Sequence, residues 1–417
     1  MTIMKLLTRA TKNYWLLSIC LFSFFLTWSF AFSLFPIWLN QYIGLSGERT
    51  GLIFSLNSLT ALLIMPLYGV IQDKLGAKRS LLFAVGVLLL LTGPFFVFIY
   101  APLLQSHFYL GAAIGGIYFS ITFLAGVGAV ETYVERISRR TGFEFGKARM
   151  WGSLGWACAS FFAGYLFNFD PNINFYLGSA CALIFMLALS FVSTTPATDE
   201  HVHKTAPLNT GDAFHLLKLP SFWAFTTYVI GVTCIYYVYD QQFPVYFSSL
   251  FPTRAEGNAM YGYLNSVQVF LEAGGMFLAP FLVNRIGAKN GLLLAGAIMA
   301  LRILGSGFAD NSLEISAMKL LHAVELPIML ISIFKYIATR FDPRFSSTLY
   351  LVGFQFMTQL ASSGLSVVAG TMYDHYGFSD SYKIMSILVL FFLVISAFVL
   401  SSDKIRPPST SAEQVAS

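Results

Sequence analysis

The chain has 417 residues, 56% of them hydrophobic and only 11% charged, with a mean hydropathy of +0.69 and a formal net charge of +5. A soluble domain carries roughly 25% charged residues, so this much apolar surface, 42 phenylalanines included, cannot all be hidden from water in soluble cores. The composition excludes a soluble enzyme and gives no reason to expect a nucleic-acid partner; it implies an all-α polytopic membrane protein with lipid as a permanent neighbour.

At the N-terminus, Lys5, Arg9 and Lys12 are followed by no further charge until Glu48, a stretch longer than the apolar region of about 7–15 residues in a cleaved leader, which predicts an uncleaved first span. Runs near the roughly 20 apolar residues needed to cross a bilayer predict twelve spans. They lie near 14–39, 51–71, 80–100, 108–132, 149–169, 173–193, 221–247, 259–283, 289–308, 312–335, 346–371 and 380–401. The N-terminal segment, the loops after even-numbered spans and the C-terminal tail hold 20 of the 25 Lys and Arg residues. This asymmetry predicts that both termini are cytoplasmic.

The longest connection, 194–220, is polar and carries His201, His203 and His215, which read as solvated rather than metal-binding. Cys20, Cys158, Cys181 and Cys234 sit singly in apolar runs without metal or disulfide spacing. The loop after span 2, "DKLGAKRSLLFA", is echoed after span 8 by "NRIGAKNGLLLA", with Asp73 and Asn284 211 residues apart. The expected organisation is therefore a six-helix bundle over 1–193, a cytoplasmic linker over 194–220, a second bundle over 221–402 and a tail over 403–417. Repeated six-helix halves point to a transporter with its site at mid-membrane between them.

A charge in the membrane costs at least about 2.5–3.5 kcal/mol, so each one marks a pathway. Here the set is Glu131, Arg149, Asp240, Glu272, Arg302, Lys319, His322 and Glu325. In "KLLHAVE", Lys319, His322 and Glu325 fall on one side of a helix. Glu325, between Val324 and Leu326, loses hydration, which disfavours its charged form and lets it carry a proton at neutral pH. Arg302, always charged, can stabilise the carboxylate on release. His322, one turn away, can both donate and accept, and so can relay a proton. A metal reading of His-x-x-Glu lacks a second such motif to complete it. Pro327 can loosen the helix just beyond. In the other half an Arg149–Glu131 pair can be bidentate and can direct its remaining donors to a ligand. Trp156, two turns after Arg149, offers an apolar plane.

"GVIQDKLGAKR" (69–79) resembles the loop 2–3 signature of the major facilitator superfamily. "FEFGKARMWGSLGW" (143–156), "YVYDQQF" (237–243), "NRIGAKN" (284–290) and "KLLHAVELP" (319–327) resemble the oligosaccharide–proton symporters, the group containing lactose and sucrose permeases. The likeness covers all twelve spans. It implies the major facilitator fold, no enzymatic activity, no cofactor besides the proton as coupling ion, a functional monomer, and a place in a bacterial inner membrane. It implies a proton step on Glu325, Arg302 and His322, a structural Asp240–Lys319 pair, and sugar contacts from Glu131, Arg149, Trp156, Gln268, Glu272 and His322. Tyr237, Thr358 and Val269 stand where the lactose permease pattern has aspartate, lysine and glutamate. With "YGYLNSVQVFLEA" (261–273) these departures resemble the sucrose permease, so the expected substrate is sucrose, with maltose second. Glu131 and Trp156 follow the lactose pattern and keep galactosides such as lactose and melibiose open. A sugar sensor or drug antiporter of the same fold is the rival reading.

Overall fold

The computed structural model describes residues 2–75, 78–192, 218–341 and 349–401. The predicted tail 403–417, the linker apart from 218–220, and with it the linker histidines, lie outside these residues. Regular structure among the described residues is entirely helical, as lipid demands of a spanning chain whose backbone polar groups must be satisfied internally.

Among the described residues twelve helices follow in chain order. In the first half, α1 runs Thr2–Phe32 and continues through Phe35–Ile37 and Trp38–Ile43; α2 is Gly47–Leu75; α3 is Ser80–Leu90 plus Thr92–Ser106; α4 is Phe108–Thr141; α5 is Phe145–Phe167; α6 is Ile173–Phe191. In the second half, α7 is Pro220–Ser249, α8 Arg254–Ile286, α9 Ala288–Phe308 and α10 Ser312–Arg340. The final helical stretch is two helices, α11 over 349–376 and α12 over 378–399, separated at Gly377. There φ is 74° and ψ 171°, a backbone state that only glycine adopts without strain, and it turns the chain back through the membrane. Among the described residues nine helices are long and apolar enough to cross a membrane, and α3, bent by 47° at Leu91, makes a tenth. Separating α11 from α12 and adding α5, diluted by glycine and serine, completes the twelve that the sequence predicts. The helices overrun the apolar runs by a few residues because the charged ends stay helical beyond the lipid core.

The ends of corresponding helices are tied in matching ways in the two halves. Arg136 of α4 donates to the Gln72 carbonyl at the end of α2 (3.1 Å), and Lys335 of α10 donates to the Val283 carbonyl near the end of α8 (3.1 Å). Arg79 reaches the Leu189 and Ser190 carbonyls of α6, both at 2.9 Å, while Lys289 reaches Ala397 of α12 at 2.7 Å. A cation at a helix C-terminus satisfies orphan carbonyls and complements the dipole. Lys289 belongs to the repeated loop and Arg79 follows its copy, so the internal repeat has a structural use: it fastens the start of α3 to the end of α6 in one half and the start of α9 to the end of α12 in the other.

Call the end that carries Thr2 and Ser401 the near end. The hydrogen bonds between the halves gather at the opposite, far end. Asp374 of α11 accepts from the Gly47 and Glu48 amides that open α2, at 2.7 and 2.8 Å. Gln242 of α7 donates to the Gly47 carbonyl at 2.9 Å, and Ser55 of α2 donates to the Ser363 carbonyl of α11. On the other flank Asn258 of α8 bonds Gln41 (3.0 Å) and Asn168 (3.2 Å), while Asn168 donates to the Ala255 carbonyl (2.7 Å). Here α5 and α8 approach so closely that a Cβ on Gly164 would lie 2.0 Å from the Asn258 oxygen. The far end is sealed.

Asp374 acts as an N-cap supplied by another helix. Replacing such an acceptor costs about 0.5–2 kcal/mol, so Asp374→Ala should speed amide hydrogen exchange over the first two turns of α2 by roughly tenfold. Unchanged exchange there would mean that the carboxylate does not hold the seal.

Candidate functional site

α10 is where the charged side chains meet. It runs as Ser312–Leu320 and His322–Arg340 with a break at Leu321, and Pro327 in the next turns has no N–H to return to the Ala323 carbonyl. Lys319, His322 and Glu325 face inward on either side of this loosened stretch, with Lys319 3% and Glu325 0% exposed. α7 carries a π-helical stretch, Val229–Cys234, just before the turn that presents Tyr236 and Asp240. The irregular backbone lies beside the ionisable groups in both helices, as π-bulges tend to do at functional sites.

Arg302 of α9 is the centre of the cluster. It is 1% exposed and uses three nitrogens: Nη1 on Glu325 Oε1 at 2.8 Å, Nη2 on Asp240 Oδ1 at 2.7 Å, and Nε on the Met318 carbonyl at 3.1 Å. The rings of Tyr236, Tyr239 and Phe243 surround its guanidinium, with centroids 5.0–5.6 Å away. His322 Nδ1 lies 3.2 Å from Arg302 Nη1 and 3.1 Å from Glu325 Oε1, and the ring also bonds the Tyr236 hydroxyl. One nitrogen cannot accept from arginine and donate to a carboxylate at once, so the tautomer of His322 selects its partner. Glu325 Oε2 is buried with no hydrogen-bond partner among the described residues. A proton on Oε2 would therefore displace no existing bond, while Oε1 keeps Arg302.

The expected Asp240–Lys319 ion pair is corrected by this geometry. Asp240 is taken by Arg302, and Lys319 donates to two amides of α8, Asn265 Oδ1 at 3.1 Å and Gln268 Oε1 at 2.9 Å, with Tyr261 beneath it at 4.5 Å. The reason is reach: the guanidinium spans two carboxylates at once, whereas an ammonium is satisfied by neutral carbonyl oxygens and a ring face. Gln268, expected as a sugar contact, has its carbonyl committed to Lys319.

In the first half Arg149 Nε meets Glu131 Oε1 at 2.5 Å, each side chain about a third exposed. The contact is through Nε rather than a two-toothed fork, and the guanidinium lies over the Phe25 ring of α1 at 4.3 Å. Trp156 is half-buried and meets Trp28 of α1 edge-on at 5.5 Å. Glu272 and Val269 are half-buried on α8. Tyr237 is 40% exposed, although it lies mid-helix, while Thr358 of α11 is 9% exposed with its hydroxyl unpartnered among the described residues. The Cys234 thiol, one turn before Tyr237, lies 3.8 Å from the Thr358 carbonyl, so α7 and α11 do face one another at this level. Phe25, Trp28, Ser29, Ser160, Tyr236 and Asn265 were not identified from the sequence. Only Trp28 carried a signal, as a tryptophan in the middle of the first predicted span.

The profile of the LacY proton/sugar symporter family matches residues 6–410. The chain belongs to that family. It is 45% identical over 395 residues to a melibiose permease of Enterobacter cloacae (94% of this chain, 93% of that one). It is 42% identical over 415 residues to a raffinose permease of Escherichia coli (98% of each), and 41% identical over 389 residues to an Escherichia coli sucrose permease (92% of each). Among solved structures, the nucleoside transporter NupG matches with a TM-score of 0.79 at 14% identity, covering 93% of this chain and 99% of that one. That likeness is one of fold, and it agrees with twelve helices in two six-helix halves. The chain is a multi-pass membrane transporter of a sugar and a proton.

The exchange of ion-pair partners in this symporter has a thermodynamic test. Removing one member of a buried pair costs about 3–5 kcal/mol, and contacting residues show non-additive losses. In denaturation of the purified protein, the Asp240/Arg302 double-mutant cycle should show a larger coupling energy than the Asp240/Lys319 cycle. The reverse order would restore the lysine pairing.

Proposed function

We propose that this symporter takes up a disaccharide with a proton by alternating access, with sucrose as its first substrate and maltose as a second. The observation that carries the choice is the uncharged α7–α11 side of the site. Tyr237 is 40% exposed, and Thr358 stands opposite this part of α7 with its hydroxyl unpartnered among the described residues. A site that keeps aspartate and lysine there must hold them as a pair, because either one alone is an unpaired buried charge. This chain has neither, in the manner of the sucrose permease pattern, and Glu272 lies one turn beyond Val269 on α8. A galactoside reading is favoured by a different observation, the 45% identity to the melibiose permease.

The proposed roles follow the geometry. Glu325 carries the proton, with Arg302 stabilising the carboxylate and His322 passing its tautomer between them. Glu131, Arg149, Trp156 and Glu272 contact the sugar, Arg149 through donors oriented by Glu131 and Trp156 through its ring face. Residues 1–193 and 221–402 are the two rocking bodies. The near end is cytoplasmic, as the Lys and Arg distribution supports, so the sealed end faces outward across a bacterial inner membrane. The unit is a monomer that needs no metal or organic cofactor and performs no covalent chemistry on the sugar.

Proteoliposome uptake driven by an imposed inward proton gradient tests this reading. Labelled sucrose should accumulate and be displaced by maltose more readily than by melibiose, raffinose or lactose; stronger displacement by melibiose would transfer the assignment to galactosides. Absence of accumulation would indicate a sensor, and proton movement opposite to sugar an antiporter. Glu325→Ala should abolish accumulation yet spare exchange of internal for external sugar, which needs no net proton release. Arg149→Ala should abolish both, because it deletes donors and leaves Glu131 unpaired. Accumulation by Glu325→Ala, or exchange by Arg149→Ala, would overturn the respective role.

A further inference from the structure

A chain of hydrogen bonds crosses the boundary between the halves at the level of the site. Lys319 Nζ donates to Asn265 Oδ1 (3.1 Å), Asn265 Nδ2 donates to Ser160 Oγ (2.9 Å), Ser160 Oγ meets Ser29 Oγ (2.9 Å), and Ser29 Oγ donates to the Trp156 carbonyl (2.9 Å). Its members are Lys319 of α10, Asn265 of α8, Ser160 and Trp156 of α5, and Ser29 of α1. Lys319, Asn265, Ser160 and Ser29 are 3%, 8%, 0% and 0% exposed.

The direction of this chain is fixed at both ends. An ammonium can only donate and a peptide carbonyl can only accept, so the amide must turn its oxygen to Lys319, and each hydroxyl must pass its proton toward Trp156. Bonds aligned head to tail in a water-poor interior polarise one another, so a cation at the head strengthens every link below it. We propose that Ser160 and Asn265 are positioning residues that tie the Trp156 sugar platform to the Lys319 cation across the two halves. The inference deepens the symport reading and rests on it for its consequence in transport.

The consequence follows from where the link lies. Ser160 is one turn beyond Trp156 on α5, and Ser160–Asn265 continues the α5–α8 seal inward from Asn168–Asn258. Opening the far end must separate α5 from α8 and break this bond. Lys319 stays on the α8 amides while Arg302 occupies Asp240. If Asp240 is released, it offers the ammonium a charged partner instead, and the chain loses its polarising head. Closure of the seal beside the sugar platform is thereby made sensitive to the ion-pair arrangement around Arg302.

The test uses the full-length protein with its four cysteines replaced. Spin labels go on Phe169→Cys and Glu256→Cys, exposed far-end positions on the α5 and α8 sides. Double electron–electron resonance then reads how much of the population has the far end apart. Ser160→Ala should raise the longer-distance population roughly fivefold, the effect of losing one hydrogen bond worth about 1 kcal/mol. Asn265→Ala should raise it as well, and the double substitution no further than the larger single, because both delete the same bond. An unchanged distribution in Ser160→Ala, or additive effects in the double variant, would overturn the proposal. The parent protein is assayed in parallel for gradient-driven accumulation of labelled sucrose and melibiose. Failure there counts against the symport reading alone, since the distance change is measured without sugar or proton gradient.

Discussion

Arg302 is the constraint around which the second half is arranged. A guanidinium at 1% exposure cannot shed its charge, so burying it is tolerable only with anionic partners and a filled set of acceptors. The chain supplies Glu325, Asp240, the Met318 carbonyl and three aromatic rings, drawn from α7 and α10. Each requirement leaves a mark elsewhere. α10 breaks at Leu321 between the residues that present Lys319 and His322, and α7 takes a π-helical stretch just before Tyr236 and Asp240. Lys319, displaced from Asp240, is driven onto amides of α8.

The charge balance of this cluster shows how protonation can act on conformation. Arg302 and Lys319 are balanced by Asp240 and Glu325 when both carboxyls are ionised. A proton on Glu325 leaves one positive charge in excess in a medium that tolerates it poorly, whereas deprotonation restores balance. The two protonation states therefore prefer different surroundings for the same side chains. A transporter needs this differential preference, because a ligand shifts a conformational equilibrium only by binding its states unequally.

Much of this was legible in the sequence because membrane solvent writes itself into composition. Spans such as α6 and α9 are bounded by polar residues close to where apolar runs end, and Gly377 marks the return between α11 and α12. The ionisable residues stood out because they are costly in lipid. What stayed hidden has two physical causes. Choosing Arg302 over Lys319 as the partner of Asp240 depends on a reach of a few ångströms, which helical spacing does not resolve. Ser29 and Ser160 look like any small residues at a helix crossing. Hydroxyls in such helices commonly bond their own preceding turn, as Ser23 does to Ile19 and Thr226 to Phe222. A hydroxyl that instead reaches another helix has the same local sequence.

The division of labour between the halves explains why the boundary matters more than either cluster. The pair Arg149–Glu131 and the ring of Trp156 belong to the first half; Arg302, His322 and Glu325 belong to the second. Neither set touches the other directly. α5 and α8 meet across the boundary, and their contact is narrow enough that Gly164 admits no side chain facing Asn258. Packed interfaces of this kind are bistable rather than continuously deformable, so a small change in what Lys319 or Trp156 holds is resolved as one arrangement or the other. With the proposed roles of the two clusters, coupling between sugar and proton needs no contact between them. It needs one interface whose closed state both favour unequally, the part proposed for α5 against α8.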